Sequence, residues 1–233
     1  MKRTRWFRTT DIKLSRSGRA IALLPVLVSL VAVSLAQPAA AATPPRDLAS
    51  SLVVRAALAP GLAVDKQVAT HQSAASSSIS SPSMTTAQAG ELIVAFIMSD
   101  GSATANQTFS SVTGGGLSWR LRQRSNAQSG TSEIWQAVAP TAVSNLVVTA
   151  NRGSGSYGGS IVVTAFIGAN TGTGGDGATT ATAGTTGAPT ATLSPTKAGS
   201  WVWGVGNDWD RAVARTVDAN QTKADEYLSL IHI

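Results

Sequence analysis

From Ala63 onward the chain reads as short runs rich in Val, Ile, Thr and Trp, separated by clusters of Gly, Ser and Asn. That texture predicts many short strands and no long helix. Ala63–Thr70 is a first strand, and Ser76–Met84 is a weak, polar second one broken by Pro82. Glu91–Ser99 (ELIVAFIMS) is almost continuously apolar, as expected of a central strand buried on both faces. In Leu117–Arg124, Leu117, Trp119 and Leu121 alternate with Ser118, Arg120 and Arg122, the pattern of a strand with one wet face. Thr131–Ala139, Asn145–Ala150 and Ser160–Ile167 follow. Gly168–Pro189, almost wholly Gly, Thr, Ala and Asn, is either a long loop or one poor edge strand. Trp201–Val205 and Arg211–Val217 are the last runs. Together they predict an all-β chain, an antiparallel β-sandwich of jelly-roll or immunoglobulin-like type.

The residues before this region follow different rules. Lys2, Arg3, Arg5, Arg8, Lys13, Arg16 and Arg19 stand against Asp11, a balance equal to the whole-chain net charge of +6. The rest of the chain is therefore neutral, and nucleic acid is not an expected partner. An apolar stretch from Ala20 to Leu35 follows, shorter than a membrane span and interrupted by Pro25, Ser29 and Ser34. Small residues at Ala40 and Ala42 complete a secretory signal peptide over 1–42, with cleavage after Ala42. The product is expected to be secreted and extracellular, with no membrane span after signal removal. Residues 43–62 are a Pro/Ala-rich linker with room for a short helix around Leu48–Leu58, and 63–227 is the sandwich domain. The end, Leu228-Ser229-Leu230-Ile231-His232-Ile233, resembles the translated end of a transposon-derived sequencing adapter. Residues 228–233 are thus expected to be non-native, and the domain incomplete beyond Tyr227.

The chain has no cysteine, so stability must come from a packed core, and lipid attachment to a cysteine is excluded. Histidine is almost absent. His71, read as an exposed loop residue, is one imidazole where hydrolytic or metal chemistry needs more partners. Gly153-Ser154-Gly155-Ser156-Tyr157-Gly158 fits a dinucleotide-binding spacing but lies between two strands, so it reads as a hairpin tip.

The best candidate site follows Trp201–Val205: Asn207, Asp208, Trp209 and Asp210. Asp208 and Asp210 fall on one side of an extended backbone and could supply oxygen ligands to Ca²⁺, while Trp209 could stack on a sugar ring. The bland alternative is a polar turn whose aspartates pair with Arg211 or Arg215. Trp201, Trp203 and Val205 share a strand face and read as core, as does Trp119; Trp135 is ambiguous because Ile134 and Val138 occupy the other face. Glu133 is a candidate second acid for a glycosidase pair with Asp208.

GELIVAFIMSDG, VTGGGLSWRLRQRSNAQSGTSEIWQAVA, IVVTAFIGA and GSWVWGVGNDWDRAVART resemble an uncharacterised β-sandwich accessory domain of large secreted bacterial proteins, often beside immunoglobulin-like or carbohydrate-active modules. The resemblance spans about Val64 to Tyr227. It implies a non-catalytic binding or adhesion module, monomeric within a larger multidomain protein, with polysaccharide or cell-surface glycan as partner. No cofactor is expected beyond Ca²⁺ at Asp208 and Asp210. Two alternatives stand beside it: the accessory part of an extracellular carbohydrate-active enzyme, or a structural spacer.

Overall fold

The computed structural model describes residues 29–35, 61–101, 104–172, 177–184, 190–208 and 213–228, the first of these as backbone only. Among them every regular element is a strand. In chain order these are β1 (Ser29–Leu35), β2 (Ala63–Ser76), β3 (Ser78–Ser80), β4 (Glu91–Ser99), β5 (Phe109–Thr113) and β6 (Arg120–Ser125). They continue as β7 (Thr131–Ala139), β8 (Thr149–Arg152), β9 (Tyr157–Ile167), β10 (Thr179–Thr182) and β11 (Trp201–Asn207). The all-β, sandwich-like architecture expected from the sequence is present, and every ladder is antiparallel.

Three sheets stack in layers. The middle one has the order β2-β9-β4-β7-β6. On one face lies β3-β8-β5, and on the other β10-β1-β11. This explains the unbroken apolar run of β4. Ile93, Ala95 and Ile97 enter the core under β3-β8-β5, together with Phe109, Val148, Ile161 and Val163. Leu92, Val94 and Phe96 enter the second core with Ile134, Val162, Phe166 and Val205. A period-two strand with apolar residues at both parities must be covered twice, and here it is.

Several expectations need correction. Leu121 shares the face of Leu117 and Trp119, as expected, but is not buried there. It pairs with Trp135 on that same face, but β6 is the edge strand of the middle sheet and leaves Leu121 36 % exposed; the register slips only after it, at Arg122. The GSGSYG segment is not a hairpin tip, because β8 and β9 belong to different sheets and the segment crosses between layers. Gly155 there has φ +70°, a conformation that glycine adopts without strain. Residues 213–216, read as part of a strand, are irregular. Phe109–Thr113 and Ser29–Leu35 are strands that the local pattern does not mark. Gly168–Pro189 does contain a short edge strand, β10. The helix considered around Leu48–Leu58 lies outside the described residues, as does cleavage position Ala42.

Glu91 opens β4 fully buried. Its Oε1 accepts a hydrogen bond from the Gln88 N–H (2.8 Å), while Oε2 has no partner among the described residues. Burial, helped by the nearby Asp65 carboxylate, raises its carboxyl above the ordinary range. The folded protein therefore holds this proton more tightly than the unfolded chain does. The resulting penalty is absent at low pH, grows as pH rises from the unfolded toward the raised folded value, and is complete above it. Glu91→Gln, which imitates the protonated form, should be more stable than wild type at neutral pH and no more stable than it in acid. Urea midpoints of both proteins across that range check this; equal differences at every pH would contradict it.

Candidate functional site

The strand ends from all three layers meet at one edge of the molecule: the last residues of β4, β8 and β11 and the first residues of β7 and β9. Ser99 is the hub. Its carbonyl accepts the side-chain amide of Asn207 (3.1 Å), and its hydroxyl accepts the buried Arg152 Nε (2.9 Å). Arg152 also donates to the Gly158 carbonyl (3.0 Å), and its guanidinium lies over the Phe109 ring at 5.3 Å. Burial lowers the Arg152 pKa, with the Asp100 carboxylate opposing that. Gly130, at φ +80°, packs so closely that a Cβ there would lie 2.6 Å from the Asn207 amide nitrogen and from the Ser99 carbonyl. Only a glycine fits this approach.

Asn207 and Asp208 are thus both engaged internally. Asp208 pairs with Arg215, the partner the bland reading allowed. The Arg215 backbone N–H in turn donates to Glu226 (2.7 Å), which also receives Lys223 Nζ (2.7 Å). For Glu226 burial acts to raise the pKa, but Lys223 and Arg215 outweigh it and the net shift is downward. Trp209 and Asp210 lie outside the described residues. Among the described residues no group of three or more His, Cys, Asp or Glu side chains could hold a metal ion.

Glu133 has a structural environment. It is fully buried on β7, between the middle sheet and β5. One carboxylate oxygen receives the Phe109 N–H (2.8 Å), Arg124 Nε (2.7 Å) and Thr131 Oγ1 (3.2 Å). The other receives Trp135 Nε1 (2.7 Å) and Arg124 Nη2 (3.1 Å). Asp208 follows β11, a strand of the layer on the opposite face of the middle sheet. The two carboxylates do not face a common cleft, as a glycosidase pair must.

The tryptophans divide by burial. Trp135, ambiguous in sequence, is core at 9 % exposure. Trp119 packs on the first core and donates to the Gly114 carbonyl (3.1 Å). Trp203 stacks with Phe96 (5.7 Å between centroids) and meets Phe166 edge-on (5.1 Å). Trp201, expected to share that buried face, is 39 % exposed at the start of β11. A surface cleft of about 420 Å³ runs between Gly116–Ser118 and the end of β7, with Ala137, Val138 and Pro140 on one side and Arg120 on the other. No acid lines it.

His71 is the residue whose setting the sequence concealed. It is no loop residue but lies on β2, in register with Ser160 of β9. Its Nδ1 shares a hydrogen bond with Ser160 Oγ (3.0 Å), its Nε2 lies 3.4 Å from Asp225 Oδ2, and its ring stacks on Tyr227 (4.8 Å, 9°). A serine, a histidine and an aspartate thus fall in line. Ser160, however, is only 1 % exposed within β9, closed to any substrate carbonyl. The arrangement instead pins residues 224–227 across β2, where Gln67 also donates to the Ala224 carbonyl (3.2 Å). Since an aromatic stack of this kind stabilises by about 0.5–1.5 kcal/mol, His71→Ala should speed tryptic cleavage after Lys223 roughly three- to tenfold. An unchanged cleavage rate would show that the segment is held by something else.

Comparison with protein-family models, curated proteins and solved structures finds no match for this chain.

Proposed function

We propose that this chain is an exported, non-catalytic binding module whose ligand is a polysaccharide or cell-surface glycan, taken by the segment Asn207-Asp208-Trp209-Asp210. The observation that carries the reading is where the polar groups go. Glu133, Asp208, His71 and Arg152 are each spent on internal contacts. The Arg152–Ser99 and Asp208–Arg215 contacts lie where the segment leaves β11. Asn207 is tied to β4 and Asp208 to Arg215, so the two residues that precede Trp209 in the chain are anchored. An indole ring offers a flat apolar surface on which sugar C–H groups can pack.

Glycan-array screening of the exported protein, with and without EDTA, tests the proposal. Binding should appear, and Trp209→Ala should weaken it by at least roughly tenfold with an unchanged unfolding midpoint. Loss of binding in EDTA would add Ca²⁺ at Asp208 and Asp210. Absence of binding to every glycan, or equal binding by the Trp209 variant, overturns it.

A further inference from the structure

β1 occupies a place that its position in the chain does not explain. It is the middle strand of an outer layer, paired on one side with β11 through seven residues, from Ser29↔Asn207 to Leu35↔Trp201. On the other side it pairs with β10 through four, from Leu30↔Thr182 to Val33↔Thr179. It lies over β6 and β7 of the middle sheet. Yet its residues come from the apolar part of the segment read as a removable leader. If that leader is cut away, β1 goes with it. β10 and β11 then face one another with a strand missing between them.

The gap cannot be closed by a small adjustment. Neighbouring strands sit about 4.8 Å apart, so two strands flanking a third are roughly 9.6 Å apart. Both are antiparallel to β1 and hence parallel to each other, so their direct pairing needs a different hydrogen-bond pattern. It also needs one of them to slide by a full strand width. Ala181 of β10 and Trp203 and Val205 of β11 are packed into the second core and oppose such a slide. What remains is two rows of unpaired backbone groups above an apolar floor, which together demand a strand.

We propose that β10 and β11 form a strand-acceptor slot which, in the processed protein, takes an extended, uncharged segment of a partner protein, antiparallel to both edges. The chemistry of the occupant is read from the slot and from the strand that fills it. β10 is Thr-Thr-Ala-Thr and β11 is Trp-Val-Trp-Gly-Val-Gly-Asn, without a charge in either, and β1 is Ser-Leu-Val-Ala-Val-Ser-Leu. A charged residue entering between them would lose hydration with no ion of opposite sign on either neighbour. A proline inside the occupant would remove a ladder donor. The slot therefore selects about seven residues of apolar and hydroxyl-bearing sequence, joined mainly through main-chain hydrogen bonds. The inference rests on removal of the leader, which is separate from the glycan-binding proposal.

Two experiments decide it. First, the mass of the exported protein shows whether residues 29–35 have been removed; their retention would mean the slot is filled from within and would overturn a partner strand. Second, a dye-labelled peptide of sequence SLVAVSL is titrated into the exported protein and followed by anisotropy and amide exchange. One-to-one saturation is expected, with at least tenfold slower exchange at residues 179–182 and 202–206. A peptide with proline at the positions of Val31 and Val33 should not bind. Slow exchange at those amides before peptide is added, a dimer that buries them, or equal binding of the proline peptide overturns the proposal. If the processed protein does not stay folded, the full chain carrying Val31→Cys and Val205→Cys replaces it, since no native cysteine competes. Oxidative cross-linking of that pair supports the slot, and failure to cross-link removes it.

Discussion

Glu133→Ala is expected to lose about 3–5 kcal/mol, because it removes a fully buried carboxylate that satisfies buried donors and takes the counter-charge from the half-buried Arg124. That is a large share of the roughly 5–15 kcal/mol that holds a domain together. The loss has named parts. Arg124 is left without its carboxylate, and the Phe109 N–H and Trp135 Nε1 lose their acceptors in the interior. Glu133→Gln keeps one acceptor oxygen but turns an NH₂ toward donors, so its cost should fall between wild type and alanine. Replacing Glu133 and Arg124 together by leucine should recover only part of the loss, because Phe109 and Trp135 remain unpaired. Urea unfolding of the three variants measures this series. If Glu133→Ala unfolds within about 1 kcal/mol of wild type, the carboxylate is not the anchor described here, and a catalytic reading of Glu133 would reopen.

Phe166→Ala tests the second core in the same way. Phe166 is fully buried on β9 and meets Trp203 edge-on, so it links the middle sheet to the layer containing β11. Removing a buried phenyl ring typically costs about 3–5 kcal/mol. The same change should move Trp203 emission to longer wavelength, because one wall of its apolar surroundings disappears. Loss of stability without a change in emission would mean that the outer layer does not rest on β9. Neither outcome depends on the glycan proposal, so the architecture and the function can be tested apart.

The candidate site was partly legible in the sequence. Asp208 takes Arg215, and a pairing of the aspartates with Arg211 or Arg215 was legible because the residues are close in the chain. The roles of Ser99, Gly130 and Arg152 were not. Each acts through a neighbour brought from a distant part of the chain, and a lone glycine or serine carries no mark of that. His71 was misplaced for the same reason. Its partners Ser160, Asp225 and Tyr227 lie far along the chain, and its surroundings (Gln72, Ser73, Ala74) look like any polar loop. Leu121 lies on the expected side, yet its exposure was not legible, because whether a strand ends up at a sheet edge is not written in its own alternation.

Alternation of apolar and polar residues is a local property, and so is the chemistry of turns. They were enough for the all-β class, for the bounds of β4 and β7, and for the double burial of β4. Strand pairing is not local. The order of the middle sheet, the crossing of Gly153–Gly158 between layers and the seating of β1 between β10 and β11 each join segments far apart in the chain. Many pairings satisfy the same alternation. Choosing among them takes the simultaneous packing of two cores and the satisfaction of every buried donor and acceptor, which exists only once the layers have met.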